Sequence, residues 1–148
     1  MKRFLNISLG FVFIFLVGCG SKSSNTRVLS CKLTKTVGSA LSEQSYKVYF
    51  DKEIIEKLSV NINVSLNEPD DVTKNNLESD VSDAFGIYKN RDGVSYSSNV
   101  KDDGFTVKLD INFNKLSAVD KANINLINSE KSYDDIKTEF ENDGFVCE

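Results

Sequence analysis

The sequence predicts an α+β fold: a single domain in which an antiparallel β-sheet of about five strands is packed on one face by two helices. Three observations predict it. Segments 58–66 and 105–113 alternate strictly between apolar and polar residues, which is the period of a half-buried strand. Segments 69–88 and 132–144 carry apolar residues at the spacing of an amphipathic helix. A length of 148 residues suits one domain.

The first three strands are predicted at 28–35, 46–50 and 58–66, and a polar connection containing Gly38 joins the first two. In the third strand every aliphatic side chain falls on one face, and the other face carries only Ser and Asn. A helix would scatter the aliphatic residues around its circumference. We expect the Ser/Asn face to be a solvated outer surface of the sheet, with a carbohydrate or peptide site as the alternative.

The first helix is predicted from about Pro69 to Tyr88. Proline suits the first turn of a helix, and Asp70 and Asp71 suit the positive end of its dipole. Because Gly86 lowers helicity late in the segment, this helix is expected to end early.

The second half of the domain is predicted to contain a hairpin and a helix. Turn sequences precede and follow 94–101, and the second turn leads into 105–113. Residues 116–120 are compatible with a helical turn. Ser132 and Asp135 have the spacing of a capping box, which predicts the start of the last helix. The side chains expected to meet in the core are Val60, Ile62, Val64, Val107, Leu109 and Ile111, covered by Leu77, Val81 and Phe85.

The N-terminal residues 1–18 are predicted to be a secretory signal peptide that is removed. Lys2 and Arg3 are followed by an apolar stretch and by small residues. The uninterrupted apolar run, 11–17, is far shorter than the ~20 residues that cross a bilayer as a helix. A transmembrane anchor therefore fits this segment badly.

The sequence Leu-Val-Gly-Cys at 16–19 matches the bacterial lipobox, in which the bond between Gly18 and Cys19 is cut and the cysteine carries the lipid. We predict that Cys19 is acylated and that palmitate is among its acyl chains. Residues 19–27 then form the lipidated cysteine and a flexible tether. The folded domain then spans 28–148. This predicts a membrane-anchored, extracytoplasmic protein of the bacterial cell membrane or envelope. The alternative is an ordinary signal peptide with a chance cysteine.

Composition excludes several classes of function. The chain has no histidine, which removes His-based acid–base catalysis, His-activated nucleophiles and His-ligated zinc. The net charge is -4, and removal of Lys2 and Arg3 with the signal peptide leaves 16 basic against 22 acidic residues, or -6. Such a chain is a poor partner for nucleic acid. We predict no catalytic residue, no metal and no cofactor.

The two cysteines left after lipidation, Cys31 and Cys147, are predicted to form a disulfide, because an even pair in an exported chain is normally oxidised. Two buried free thiols are the alternative. A catalytic thiol is disfavoured, since the chain has no histidine to activate it.

Three acidic doublets are the remaining candidates for chemistry: 70–71, 102–103 and 134–135. The first and third suit the first turns of helices and the second suits a turn before glycine, so a structural interpretation is favoured. An EF-hand calcium loop fails by register, because lysine and aspartate occupy two of its defining positions. The residues that fall in that register are Asn99, Lys101, Asp103, Gly104 and Asp110.

The chain resembles the YehR-like family of small bacterial lipoproteins of unassigned function. The resemblance is carried by the lipobox at 16–19 and by the last helix with its Gly-Phe ending, 132–136 and 140–145. It implies a compact α+β domain with an antiparallel sheet and no known catalytic residues. The pair Cys31 and Cys147 is an addition to that pattern.

These observations predict a noncatalytic, lipid-anchored binding or accessory module of the cell envelope, with an envelope protein partner of unknown identity. The alternative is an envelope hydrolase that uses carboxylates only. A deep pocket that holds two acids with a raised pKa would favour the hydrolase.

Overall fold

The computed structural model describes residues 26–124, 127 and 130–148. Within them the chain forms a single domain with a six-stranded antiparallel sheet and three α-helices. The predicted signal peptide, the lipobox and Cys19 lie outside the described residues.

The strands have the spatial order β4-β5-β3-β2-β1-β6. The first three form an antiparallel meander, and β5 rather than β4 pairs with the second edge of β3. The chain therefore crosses from β3 through a helix to the outer strand β4 and returns as β5. The strands are β1 (Thr26–Val37), β2 (Ala40–Asp51), β3 (Ile54–Leu66), β4 (Val94–Lys101), β5 (Gly104–Asn112) and β6 (Val146–Cys147).

The helices are α1 (Asp71–Phe85), α2 (Ala118–Asn123) and α3 (Tyr133–Asn142). The carboxylate of Asp70 caps α1 by accepting the backbone N–H of Thr73 at 2.7 Å. At the start of α3, Ser132 and Asp135 form the capping box that the sequence predicts. These caps satisfy backbone groups that the first helical turn leaves unpaired.

One face of the sheet carries the core. Strand alternation places the buried apolar residues of the long strands on this face, and the pairing register aligns them across the sheet. Val81 of α1 and Ile136 of α3 are buried in the same cluster as the strand residues. Val64 and Phe85, both expected in the core, are only partly buried. The strand residues aligned in two adjacent rows are Leu29, Val48, Leu58, Ile111 and Val94, and Cys31, Tyr46, Val60, Leu109 and Tyr96.

The prediction of about five strands is corrected to six, and the first two strands are longer than predicted. Only Gly38 and Ser39 form the turn between β1 and β2, which have 12 residues each. Residues 40–45, of which 42–45 are polar, belong to β2 because their backbones pair on both sides with β1 and β3 whatever the side chains are. The sixth strand has two residues, too few to show any alternation.

The prediction of two helices is corrected to three, because the segment near 116–120 continues as α2. The predicted helix start at Pro69 is wrong. Asp70 has an extended backbone that lets its side chain reach the N–H of Thr73, so the helix begins at Asp71. The other end tightens at Gly86 into one 3-10 turn, Gly86–Tyr88.

Candidate binding surface on the open face of the sheet

The face of the sheet opposite the core is polar and accessible to solvent. Its side chains come from the strand positions between the core positions, because successive side chains of a strand point to opposite faces of the sheet. We call this surface the open face and define it by two adjacent rows that cross five strands. They are Lys32, Ser45, Asn61, Lys108 and Ser97, and Thr34, Glu43, Asn63, Thr106 and Asn99.

The middle of the open face is concave, with a volume of about 470 Å³. Four strands contribute its lining, and Leu33 is the single apolar lining residue. The others carry hydroxyl, amide, ammonium or carboxylate groups: Lys32, Thr34, Glu43, Gln44, Ser45, Asn61, Asn63, Thr106 and Lys108. This concavity therefore offers hydrogen bonds and charges, with little apolar area.

Hydrogen bonds across strands fix several of these side chains. The hydroxyl of Thr106 donates to the Oδ1 of Asn63 at 3.0 Å, and the Nδ2 of Asn63 donates to Glu43 at 3.1 Å. Asn63, on β3, thus links β2 to β5. The two hydrogen bonds fix the orientation of its side-chain amide.

Asp110 is held in a second cluster on the same side of the sheet. It accepts a 2.5 Å hydrogen bond from the hydroxyl of Ser59 and forms a 3.3 Å ion pair with Lys57. The Ser59 hydrogen bond, and then the Lys57 ammonium, hold the pKa of Asp110 below its usual value. Its charge is therefore already compensated.

Three lysines on this side of the sheet have no such partner. Lys32, Lys47 and Lys108 are exposed and form no ion pair with any residue that the structure describes. They lie on β1, β2 and β5 in a protein whose net charge is -4. The open face therefore carries two lysines, Lys32 and Lys108, against one carboxylate, Glu43, in a protein that is acidic as a whole.

A second concavity of about 500 Å³ lies between α1 and β4. It brings Glu78 of α1 and Asp102, beside β4, into one lining, together with Lys74, Lys89 and Lys101. Lys74 forms an ion pair with Asp71 at 3.5 Å. Charges of both signs are mixed here.

The acidic doublets are divided between the two ends of the sheet. Asp70 and Asp135 accept hydrogen bonds from Thr73 and Ser132 respectively, and these bonds lower the pKa of each carboxyl. The pair 102–103 forms the tight turn between β4 and β5. Each doublet thus lies at a helix start or in a turn.

Cys31 and Cys147 are directly opposed on β1 and β6 and are joined as a disulfide, with sulfurs 2.01 Å apart. The backbones of Ser30 and Glu148 exchange two 2.9 Å hydrogen bonds beside it. The disulfide thus fixes the end of the chain to the edge of the sheet.

The calcium register examined in the sequence does not form a loop. Asn99 and Lys101 belong to β4 and Asp110 belongs to β5. This segment is therefore a β-hairpin rather than a calcium-binding loop. Among the residues described, no three His, Cys, Asp or Glu side chains form a metal-binding group. In the same part of the chain, no helix has the length and apolar character needed to span a membrane.

The sequence pointed to the Ser/Asn side of β3 but not to the lysines on the neighbouring strands. Lys32, Lys47 and Lys108 are separated by long stretches of chain and follow no motif. The sequence could have placed all three lysines on the polar face only through the alternation of side chains within each strand. Whether they lie close together depends on strand order.

The fold is similar to that of a solved structure. The NMR structure of a protein from Streptococcus pneumoniae TIGR4 matches with a TM-score of 0.56 and 9% sequence identity, covering 100% of this chain and 96% of that chain. At this identity the likeness shows the fold alone. No family model and no curated protein matches the sequence.

Proposed function

We propose that the protein is a lipid-anchored, noncatalytic binding module on the extracytoplasmic side of a bacterial membrane, and that its binding surface is the open face. The observation that carries the binding role is the concavity in the open face, where side chains from four strands converge. The lipobox at 16–19 supports the anchor. In this proposal α1 and α3 cover the core face, and the resemblance to YehR-like lipoproteins is part of it.

The polar lining favours binding over burial. A sheet face that packed against the rest of this chain would carry apolar residues, as the core face does. The open face instead presents hydroxyl, amide and ammonium groups, which can exchange hydrogen bonds with water for hydrogen bonds with a ligand.

A substitution that fills the concavity tests this proposal. Asn61 is exposed at the centre of the open face, so Asn61→Trp should block the surface while leaving the core intact. Asn142→Trp, at the exposed end of α3, is the matched control. In a deletion strain, at equal protein level and melting temperature, the first variant should fail to restore the phenotype and the control should restore it. Restoration by both would contradict the proposal.

The carboxylate hydrolase remains a second candidate, because Glu78 and Asp102 line one concavity. Paired replacements by the neutral amides separate the two functions. A binding module should still complement with Glu78→Gln/Asp102→Asn and with each acidic doublet changed to asparagine. A carboxylate enzyme would lose its rate by orders of magnitude when its acid or base is neutralised. Loss of complementation by one pair alone, in a folded and lipidated protein, would contradict the noncatalytic proposal and point to that pair as an active site.

A further inference from the structure

We propose that the open face binds an anionic glycan, a chain of sugar hydroxyls that also carries regularly spaced negative groups. This inference rests on the proposed function and names the ligand class of the same surface. It depends on the positions of the charges, on the chemistry of the floor between them and on what the surface lacks.

The unpaired lysines define where negative groups would lie. Lys32 and Lys108 occupy the same cross-strand row, with Ser45 and Asn61 between them. Three strand spacings of about 4.8 Å separate their backbones by roughly 14 Å. That backbone spacing suits an extended ligand that carries several charges. Lys47 lies one row along β2 and extends the positive region.

The acids on this side of the sheet offset the lysines only in part. Glu43 accepts a hydrogen bond from the neutral amide of Asn63 and keeps its negative charge, and Asp110 is paired with Lys57. Glu148 stands opposite Ser30 at the sheet edge and makes no ion pair with Lys32 among the described residues. The concavity itself contains two lysines and one carboxylate, in a chain of net charge -4. Its charge is complementary to an anionic ligand.

The floor between the lysines fits sugar hydroxyls. Ser45 and Asn61 lie there without a side-chain hydrogen bond within the described structure, and Thr106 and Asn63 are oriented by the network across β3. Hydroxyl and amide groups both donate and accept, which is what a row of sugar hydroxyls requires.

The concavity lacks the apolar centre that a protein partner uses. Tight protein interfaces are anchored by buried aromatic and apolar side chains at their centre. The lining of this concavity contains no aromatic residue and a single aliphatic one, Leu33. An acidic protein is therefore the less suited occupant, and the experiment treats it as a contrary outcome.

The test measures binding of fluorescent oligogalacturonate to the full-length protein in nonionic detergent. Dextran of similar length supplies hydroxyls without charge, and polyglutamate supplies charge without sugar hydroxyls. Oligogalacturonate should bind, weaken with added salt and exceed both comparison ligands. Absence of oligogalacturonate binding, or equal binding of polyglutamate or of dextran, would overturn the inference.

Variants locate the binding. Lys32→Gln/Lys108→Gln should weaken oligogalacturonate binding by at least about tenfold, because two charge-assisted hydrogen bonds are lost. The control Lys121→Gln/Lys137→Gln removes the same charge from α2 and α3 and should change affinity less than about twofold. Equal losses in both pairs would show that net charge alone drives binding, which contradicts a site on the open face.

The outcome separates this inference from the proposed function. If Asn61→Trp abolishes complementation and oligogalacturonate does not bind, the open face is functional and the ligand class is wrong. If Asn61→Trp complements fully, the binding role of the open face is itself wrong.

Discussion

At the scale of single residues, Asn61 and Ile62 show how alternation divides β3 between two environments. Ile62 lies in the core cluster and Asn61 is exposed on the open face. Ile62→Asp should lower the free energy of unfolding by more than about 4 kcal/mol, because an unpaired carboxylate would be buried. Asn61→Asp should stay within about 0.5 kcal/mol of the parent. Urea unfolding measures both, and equal stabilities would show that the face assignment is wrong.

Gly104, at the start of β5, has a φ of +150° and is buried. A Cβ there would overlap the carbonyl oxygen of Val64 on the neighbouring strand. Gly104→Ala should therefore destabilise the protein by about 2 kcal/mol or more. Gly86 is the control, since it has helical φ and a Cβ would meet only the Ser82 hydroxyl at 3.9 Å. Gly86→Ala should stabilise by roughly 0.5–1 kcal/mol in thermal unfolding. A neutral Gly104→Ala would contradict this close backbone approach.

Protonation of Asp110 is expected to cause part of the loss of folding stability at low pH. Its pKa is lowered in the folded protein by Ser59 and Lys57, so the folded state binds the proton less tightly than the unfolded chain does. Its stabilising effect is present above the ordinary carboxyl pKa of about 3.9 and is lost as the pH falls through the folded-state pKa. In Asp110→Asn, the loss of stability between pH 6 and pH 3 should be smaller than in the parent. An unchanged pH profile would contradict this coupling.

At the scale of elements, β6 is too short to hold its place by pairing alone. It has two residues, and the disulfide from Cys147 to Cys31 closes a loop with a sequence separation of 116. Both cysteines should resist alkylation in unreduced denaturant and react after reduction, as measured by mass spectrometry of their peptides. Cys31→Ala/Cys147→Ala should lower the free energy of unfolding by about 2–4 kcal/mol. Labelling without reduction would show that the thiols are free.

The connection from β3 to β5 shows the limits of local pattern. β4 follows α1 in the chain, yet β5 is the strand that pairs with β3. The β5 core positions Val107, Leu109 and Ile111 are buried, whereas Tyr96 and Val100 of β4 are only partly buried. The more apolar strand of the hairpin thus takes the inner position, and β4 becomes the edge.

At the scale of the whole molecule, the position of Cys19 is expected to set where the binding surface operates. Cys19→Ala should abolish incorporation of radiolabelled palmitate and block cleavage after Gly18, because the lipobox requires the cysteine thiol. Ser21→Ala, just beyond the cleavage site, is the control and should be processed normally. Unchanged acyl incorporation in Cys19→Ala would remove the anchor from the proposed function.

The sequence by itself determined that the alternating segments are strands and which of their side chains share a face. Strict alternation in β3 and β5 and the capping box at Ser132 are local patterns, and the structure places strands and a helix there. The end of α1 near Gly86 was also foreseeable. The polar side of β3 was recognisable in the same way, as one half of an alternating pattern.

Only the tertiary structure decided strand order, strand length and the candidate binding surface. Alternation fixes the face of a side chain but says nothing about which strand lies beside it, since pairing joins residues far apart in the chain. The polar half of β2 is strand because both neighbours supply hydrogen bonds, and β6 exists because β1 has a free edge. Lys32 and Lys108 likewise come into one row only through tertiary structure, because β2 and β3 must pair between β1 and β5.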